Sequence, residues 1–110
     1  MKTQELKNYI LVTPDEELFI HFHTNFTKNN TSLENKHVII DLLKYSAVTA
    51  EDMLLLLNTA IKHKKNNTSF IIINVTIDTD NLPETLQITP TLLEAEDILE
   101  MEAIERDLFK

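Results

Sequence analysis

Two uninterrupted apolar runs constrain the fold of this chain more than any other feature. They are "HVIIDL" at residues 37–42 and "SFIIINV" at residues 69–75. Both are rich in β-branched side chains and do not alternate with polar ones, which is typical of strands covered on both faces. "YILV" at 9–12 and "QIT" at 87–89 are shorter candidate strands. With helical patterns between them, the order β-α-β-α-β-turn-β-α predicts an α/β fold. We expect one domain over residues 1–110, with a mainly parallel sheet of about four strands and helices packed on it.

The first predicted helix covers residues 15–27. Thr13 is a favourable N-cap, Pro14 suits the first helical position, and Glu16 completes a capping box. The apolar residues at helical spacing are Phe19, Phe22, Phe26 and Leu33. Residues 18–23 also alternate as a strand would, but the cap favours a helix.

Two more helices are predicted downstream. Residues 50–63 follow Thr49, a good N-cap, with Asp52 three positions later. The face predicted to be apolar consists of Met53, Leu54, Leu57 and Ile61. "KHKK" at 62–65 falls at the C-terminus of this helix, where cations complement the helix dipole. Thr91 and Glu94 form a capping box for a helix that runs to the C-terminus.

Composition narrows the possible function. A formal net charge of −8 argues against nucleic-acid binding, because neutralising phosphates requires a basic face. The absence of cysteine excludes disulfides and a thiol nucleophile, and the absence of glycine excludes the usual Gly-rich phosphate loops. We expect asparagine to fill positions of positive φ, at 28–30 and 65–68. No apolar run reaches the roughly 20 residues of a membrane span, and no signal peptide is recognisable. We therefore expect a cytoplasmic protein with no cofactor.

"LFIHFHTNF" at residues 18–26 contains an H-x-H pair, a common beginning of a metal site. On a helix, His21 and His23 point about 200° apart and cannot bind one ion, whereas on a strand they would share a face. The remaining histidines, His37 and His63, do not complete a familiar ligand pattern. We interpret the pair as residues at the helix surface.

Three aspartates are the weak candidates for a metal site. Asp41 ends the first long apolar run, and Asp78 and Asp80 follow the second. Ligands of open parallel sheets bind beyond the carboxyl ends of the strands, and carboxylates suit Mg²⁺. A small metal-dependent hydrolase is therefore one alternative function, although loop carboxylates are usually solvated or cap turns.

The C-terminal helix is long enough to extend past the sheet, at about 27 Å from Leu92 to Phe109. Leu92, Ala95, Ile98 and Leu99 are placed to cover the sheet. Beyond them comes an apolar group framed by acidic residues, consisting of Met101, Ile104, Leu108 and Phe109. Two interpretations stay open: this end packs onto the core, or it forms a surface for a partner or a second copy.

The segments "HVIIDLLKYSAVTAEDMLLLL" and "ITPTLLEAEDILEMEAIERDLF" resemble the STAS domains of anti-sigma-factor antagonists. The resemblance covers roughly residues 37–109. It implies a small α/β domain that binds an anti-sigma factor or another protein and has no enzyme activity. The family usually opens with a β-hairpin before its first helix. Here the capping box at Thr13 is expected to replace the second strand of that hairpin.

The resemblance also implies where a phosphorylation switch would lie. The family motif carries its acceptor serine at the N-terminus of the second helix. Alignment on Asp41 places Thr49 at the motif's aspartate, Ala50 at the acceptor, Glu51 at the following residue and Asp52 at its glycine. The acceptor is missing, and two acidic side chains put permanent charge in the same turn. A slip of one residue would bring Thr49 to the acceptor position.

The favoured hypothesis is thus a non-catalytic regulatory module that is not switched by serine phosphorylation. Its expected partner is an anti-sigma factor, a paralogous STAS protein or a second copy of itself, not a nucleic acid or a membrane. The alternatives are the small hydrolase and a purely structural homodimer.

Overall fold

The computed structural model describes residues 1–108. Its five strands are β1 (Lys2–Glu5), β2 (Ile10–Thr13), β3 (Val38–Asp41), β4 (Phe70–Ile73) and β5 (Gln87–Thr89). Its α-helices are α1 (Phe19–Asn29), α2 (Ala50–Leu54), α3 (Leu57–Lys65) and α4 (Leu92–Leu108), and a 3₁₀ turn (Asn30–Ser32) follows α1.

The strands form one sheet in the order β1-β2-β3-β4-β5. β1 is antiparallel to β2, and every other neighbouring pair is parallel. In the centre of the sheet, Ile39 lies opposite Ile71. The prediction of an α/β fold with a mainly parallel sheet is confirmed, with five strands in place of about four.

Each face of the sheet is covered by different helices. On one face, Val38, Ile40 and Ile72 pack in a core with residues of α1, α2 and α3. On the other face, Ile39 and Ile71 pack with α4. This two-sided burial explains why the strand sequences do not alternate between apolar and polar residues.

The start of α1 differs from the sequence-based prediction. The helix begins at Phe19, and its N-cap residue is Leu18, whose apolar side chain makes no capping hydrogen bond. The predicted capping box at Thr13 is wrong: Thr13 ends β2, and a Glu16 carboxylate oxygen accepts a hydrogen bond from Asn25 Nδ2 at 2.6 Å. The helical interpretation of residues 18–23 is confirmed from Phe19 onward, and the predicted apolar stripe is buried.

A β-hairpin, β1–β2, precedes the first helix. The expectation that a capping box replaces its second strand is therefore wrong. Sequence patterning missed β1 because all four of its residues are exposed, so the strand has no apolar alternation to mark it. Its position is fixed by the antiparallel pairing of Lys2 with Thr13 and of Glu5 with Ile10.

The predicted single helix over residues 50–63 is divided into α2 and α3. The backbone turns at Leu55 and Leu56, whose N–H groups bond to carbonyls three residues earlier. The buried face is also rotated from the predicted one, since Leu54 and Ile61 are exposed. The residues that point into the core are Met53, Leu56, Ala60 and His63.

Asparagine takes the place of glycine at one sharp turn. Asn67 has φ 59°, directly after α3, as predicted for residues 65–68. The same expectation for residues 28–30 is wrong, because α1 passes into the 3₁₀ turn there with negative φ. Among residues 1–108, no helix is both long enough and apolar enough to cross a membrane.

Candidate functional site

The inner face of α4 is anchored to the sheet mainly through its first half. Ala95 and Leu99 are buried against the sheet, and Glu96 accepts a hydrogen bond from the Tyr9 hydroxyl at 2.8 Å. Burial, together with this bond, raises the pKa of Tyr9 to about 12. In the second half, the inner contact is polar: Arg106 Nη1 donates to Ser69 Oγ at 3.2 Å. The helix is therefore held in one rotation by contacts at both ends.

In that rotation of α4, a row of large apolar side chains points into the solvent. The exposed fractions are 69% for Leu93, 60% for Met101, 55% for Ile104 and 73% for Leu108. At 3.6 residues per turn, the eleven residues between Leu93 and Ile104 make about three turns, so both lie on one side of α4. Met101 and Leu108, seven residues apart, lie beside them. These four residues are called the α4 stripe below.

Other exposed apolar side chains are less concentrated than the α4 stripe. They belong to the start of α1, to the loop after β3, to α2 and α3 with their junction, and to the segment after β4, and their exposed fractions run from 38% to 61%. They are Leu18, Ile20, Leu43, Leu54, Leu55, Ile61 and Val75. Single exposed apolar residues are normal on protein surfaces, whereas several large ones on one side of a helix form a candidate interaction surface.

Three of the four residues predicted for a partner surface are exposed in the described chain, and Leu93 is exposed beside them. Met101, Ile104 and Leu108 point away from the sheet, whereas Phe109 lies outside the described residues. Leu93 was missed because the sequence could not tell which of the two adjacent leucines faces the sheet. The structure turns Leu92 toward the protein, at 38% exposure, and Leu93 away from it.

The predicted phosphoacceptor region lies at the start of α2. Thr49 Oγ1 accepts a hydrogen bond from the Asp52 N–H at 3.2 Å, and Asp52 Oδ2 accepts one from the Thr49 N–H at 3.0 Å. Ala50 occupies the first helical position, and Glu51 is exposed beside it. The capping role predicted for Thr49 is confirmed, and its hydroxyl oxygen serves the backbone of α2.

We expect Thr49→Ala to lower the free energy of unfolding by about 1 kcal/mol, because α2 loses a cap and the Asp52 N–H loses its acceptor. Urea unfolding followed by circular dichroism measures this. Thr49→Ser keeps the hydroxyl and serves as the control, with nearly the wild-type stability. Equal stability of the alanine and serine variants would contradict the capping role.

The histidine pair lies on α1, as the helical interpretation requires. His21 is exposed, whereas the His23 Nε2–H donates to the Leu55 carbonyl at 3.2 Å and joins α1 to the α2–α3 junction. The two side chains therefore have different surroundings.

Two of the three aspartate side chains accept hydrogen bonds that close local turns. Asp41 Oδ1 accepts from the Leu43 N–H, and Asp78 Oδ1 accepts from the Asp80 N–H, both at 3.0 Å. These are local turn bonds of the kind that aspartate commonly makes. In the described part of the chain, no group of three histidine, aspartate or glutamate side chains is arranged to hold a metal ion.

A polar cleft of about 800 Å³ lies between the end of α3, the start of β5 and the second half of α4. Its lining includes two cations, Lys64 and Arg106, and the acidic residues Glu84, Glu102 and Glu105. Next to it, His37 Nδ1 accepts a hydrogen bond from the Ser69 N–H at 2.9 Å. Burial, and then the charge of Arg106, lower the pKa of His37. The mixed signs of charge in the lining do not select one kind of small ligand.

Two buried polar residues were not singled out in the sequence. Asn74 follows β4 and donates from Nδ2 to the carbonyls of Leu42 and Tyr45, at 3.1 Å and 3.2 Å. His63 is fully buried on α3 and stacks on Phe70 with 5.1 Å between ring centroids. In the sequence, Asn74 is only a polar residue directly after a buried strand, and His63 is only one member of a basic cluster. Surface residues commonly occur in both settings, so neither position indicated burial.

No protein-family model matches this chain, and no curated protein matches it either.

Proposed function

We propose that the chain is a cytoplasmic, non-catalytic protein–protein interaction module of the STAS type, similar to anti-sigma-factor antagonists. The observation that carries the proposal is the α4 stripe, which exposes four large apolar side chains on one side of a helix that is fixed to the sheet from its other side. Leaving such a row in water is unfavourable, and covering it on binding releases that free energy.

Three features of the fold support the STAS assignment. The β1–β2 hairpin precedes the first helix, as is usual in that family. The parallel strands β2 to β5 follow one another in sequence order across the sheet. A capped helix, α2, follows the Asp41 segment at the place where the family carries its switch. The sequence had suggested that the second strand of this hairpin was replaced by a capping box, and its presence removes that difference from the family's architecture.

The start of α2 supports a module without a serine switch. Ala50 stands at the acceptor position implied by the resemblance and has no oxygen to phosphorylate. With Glu51 and Asp52 in its first turn, α2 already has negative charge where a phosphate would otherwise add it. We therefore propose that the module remains in one binding state.

The resemblance suggests an anti-sigma factor or a paralogous STAS protein as the partner. We test this by purifying the tagged chain from its native cells and identifying what is bound to it. The test variant replaces the second half of the α4 stripe with serine, as Met101→Ser, Ile104→Ser and Leu108→Ser. The control variant removes equally exposed apolar side chains elsewhere, as Leu18→Ser, Ile20→Ser and Val75→Ser.

We expect the test variant to unfold within about 1.5 kcal/mol of wild type, or about 0.5 kcal/mol for each substitution, because side chains that are largely in water contribute little to folding. We also expect it to lose the partner, while the control variant keeps it. If the test variant keeps the partner, the proposed surface is wrong. If the intact chain recovers only itself, and light scattering shows a dimer that the test variant abolishes, the structural homodimer is correct instead.

A further inference from the structure

The exposed side of α4 is rich in acidic residues. α4 carries seven acidic residues and a single basic one, Arg106, which is turned inward to Ser69. Besides Glu96, which accepts from the Tyr9 hydroxyl, four of the acidic side chains are exposed and make no ion pair within residues 1–108. They are Glu94, Asp97, Glu100 and Glu105.

Helical geometry places these acids next to the apolar side chains. Asp97 lies one turn beyond Leu93 and one turn before Met101, within the stripe itself. Glu100 lies four residues before Ile104 on one margin. Glu94 and Glu105, eleven residues apart, lie along the opposite margin. The outer face of α4 is thus an apolar row of about 22 Å with negative charge along both sides.

This charge pattern discriminates among possible occupants. A second copy would bring the same acidic margins against each other, and like charges that meet at an interface oppose association. An anionic lipid surface would be repelled in the same way. A segment with apolar residues flanked by lysine or arginine matches both the apolar row and its margins.

We infer that the α4 stripe binds a cationic amphipathic helix of another protein, about 15 residues long, with apolar residues at i, i+3, i+4 and i+7 spacing. This inference rests on the proposed function and specifies the chemistry of its partner. The apolar contacts supply most of the affinity, and the flanking charges supply orientation, speed of association and discrimination against acidic segments.

The test uses two synthetic peptides of about 15 residues with the same helical pattern of leucine. In one peptide all the remaining positions are lysine, and in the second peptide they are all glutamate. Binding to the intact chain is followed by fluorescence anisotropy of labelled peptide, at about 50 mM and about 500 mM NaCl, since salt screens charge pairs. We expect the leucine–lysine peptide to bind, the leucine–glutamate peptide not to bind, and affinity to fall at least about tenfold at high salt.

Matched variants distinguish binding at the α4 stripe from a general attraction of the cationic peptide to an acidic protein. Neutralising the margins of the stripe should weaken binding at least about tenfold at low salt. The variant is Glu94→Gln, Asp97→Asn, Glu100→Gln and Glu105→Gln. The control removes the same charge elsewhere and should bind the peptide several times more tightly than the margin variant. It is Glu5→Gln, Glu17→Gln, Glu51→Gln and Asp80→Asn.

The inference is overturned by similar loss in the margin and control variants, by similar binding of both peptides, or by no binding of the lysine peptide. If a native partner is nonetheless lost when the stripe is changed to serine, the proposed function stands and only the partner chemistry is wrong. If serine at Met101 and Ile104 leaves peptide binding unchanged, the stripe is not the binding site and the inference fails.

Discussion

Asn74→Asp is expected to lower the free energy of unfolding by about 3 kcal/mol or more. Asn74 is only 4% exposed and joins the loops that follow β3 and β4 at the carboxyl edge of the sheet. Its Nδ2 donates to the carbonyls of Leu42 and Tyr45. Its Oδ1 accepts from the N–H and hydroxyl of Thr76, at 3.0 Å each, and from the Ile77 N–H at 3.1 Å. The amide therefore uses both its donors and its acceptor.

Aspartate has nearly the same shape but cannot donate while it is ionised. The variant would place a buried negative charge against the carbonyls of Leu42 and Tyr45 and leave both without a donor. Asn74→Ala is the comparison, since it also loses the bonds but adds no charge, and we expect a smaller loss of about 2 kcal/mol. Urea unfolding at pH 7 measures both. If Asn74→Asp is no less stable than Asn74→Ala, the amide does not hold these loops in the way described.

Acid is expected to destabilise the protein through His63, by about 2 to 3 kcal/mol between pH 7 and pH 4.5. The ring is fully buried, its Nδ1 lies 2.8 Å from Thr68 Oγ1, and its Nε2 has no hydrogen-bond partner among residues 1–108. Burial lowers the pKa of His63 to about 4, outweighing the opposite effect of Glu34, and the charge of His37 adds to the lowering.

The direction of the effect follows from the two protonation states. The unfolded chain takes up a proton near pH 6.5, whereas the folded chain resists it until about pH 4. The contribution to stability is therefore complete above pH 6.5 and is lost as the pH falls toward 4. His37, whose pKa is also lowered, contributes in the same direction.

His63→Phe tests this effect without emptying the site, because a phenyl ring can keep the stacking on Phe70. Thr68 Oγ1 also lies 3.2 Å from the carbonyls of Glu34 and His63, so it retains an acceptor. We expect unfolding free energy measured in urea to fall much less between pH 7 and pH 4.5 in this variant. An unchanged pH dependence would mean that other groups cause the acid sensitivity. His21→Phe, at an exposed site, is the matched control.

The central strands and the last helix were predictable because each has one dominant signal. The runs that contain Ile39 and Ile71 are apolar without interruption, which only a two-sided strand explains well. The Thr91 cap precedes α4, and the Glu94 N–H bonds to its hydroxyl at 3.1 Å. At these places local sequence and tertiary packing favour the same structure.

Predictions failed where local signals were ambiguous or where another group competed for a side chain. Glu16 could have capped a helix at Thr13, but its carboxylate is bonded to Asn25 instead. Four consecutive leucines, residues 54–57, allow several rotations of a helix, and only packing selected Leu56 for the core. The same ambiguity concealed Leu93, since its neighbour Leu92 could equally have pointed outward. The rotation of a helix about its own axis is set by packing in the folded core. The sequence specifies this rotation only weakly when several apolar residues are adjacent.

The most direct test of the account is a site-specific crosslink from the middle of the α4 stripe. A photoreactive amino acid is placed at Ile104, and in a control chain at Val75, which is similarly exposed on another element. After irradiation in native cells, we expect Ile104 to yield a covalent product with one other protein, and Val75 to yield none with it. Contact made by a basic amphipathic segment of that protein would agree with the inferred partner chemistry. The same products from both positions, or no product from Ile104, would contradict the claim that this face of α4 is the interaction surface.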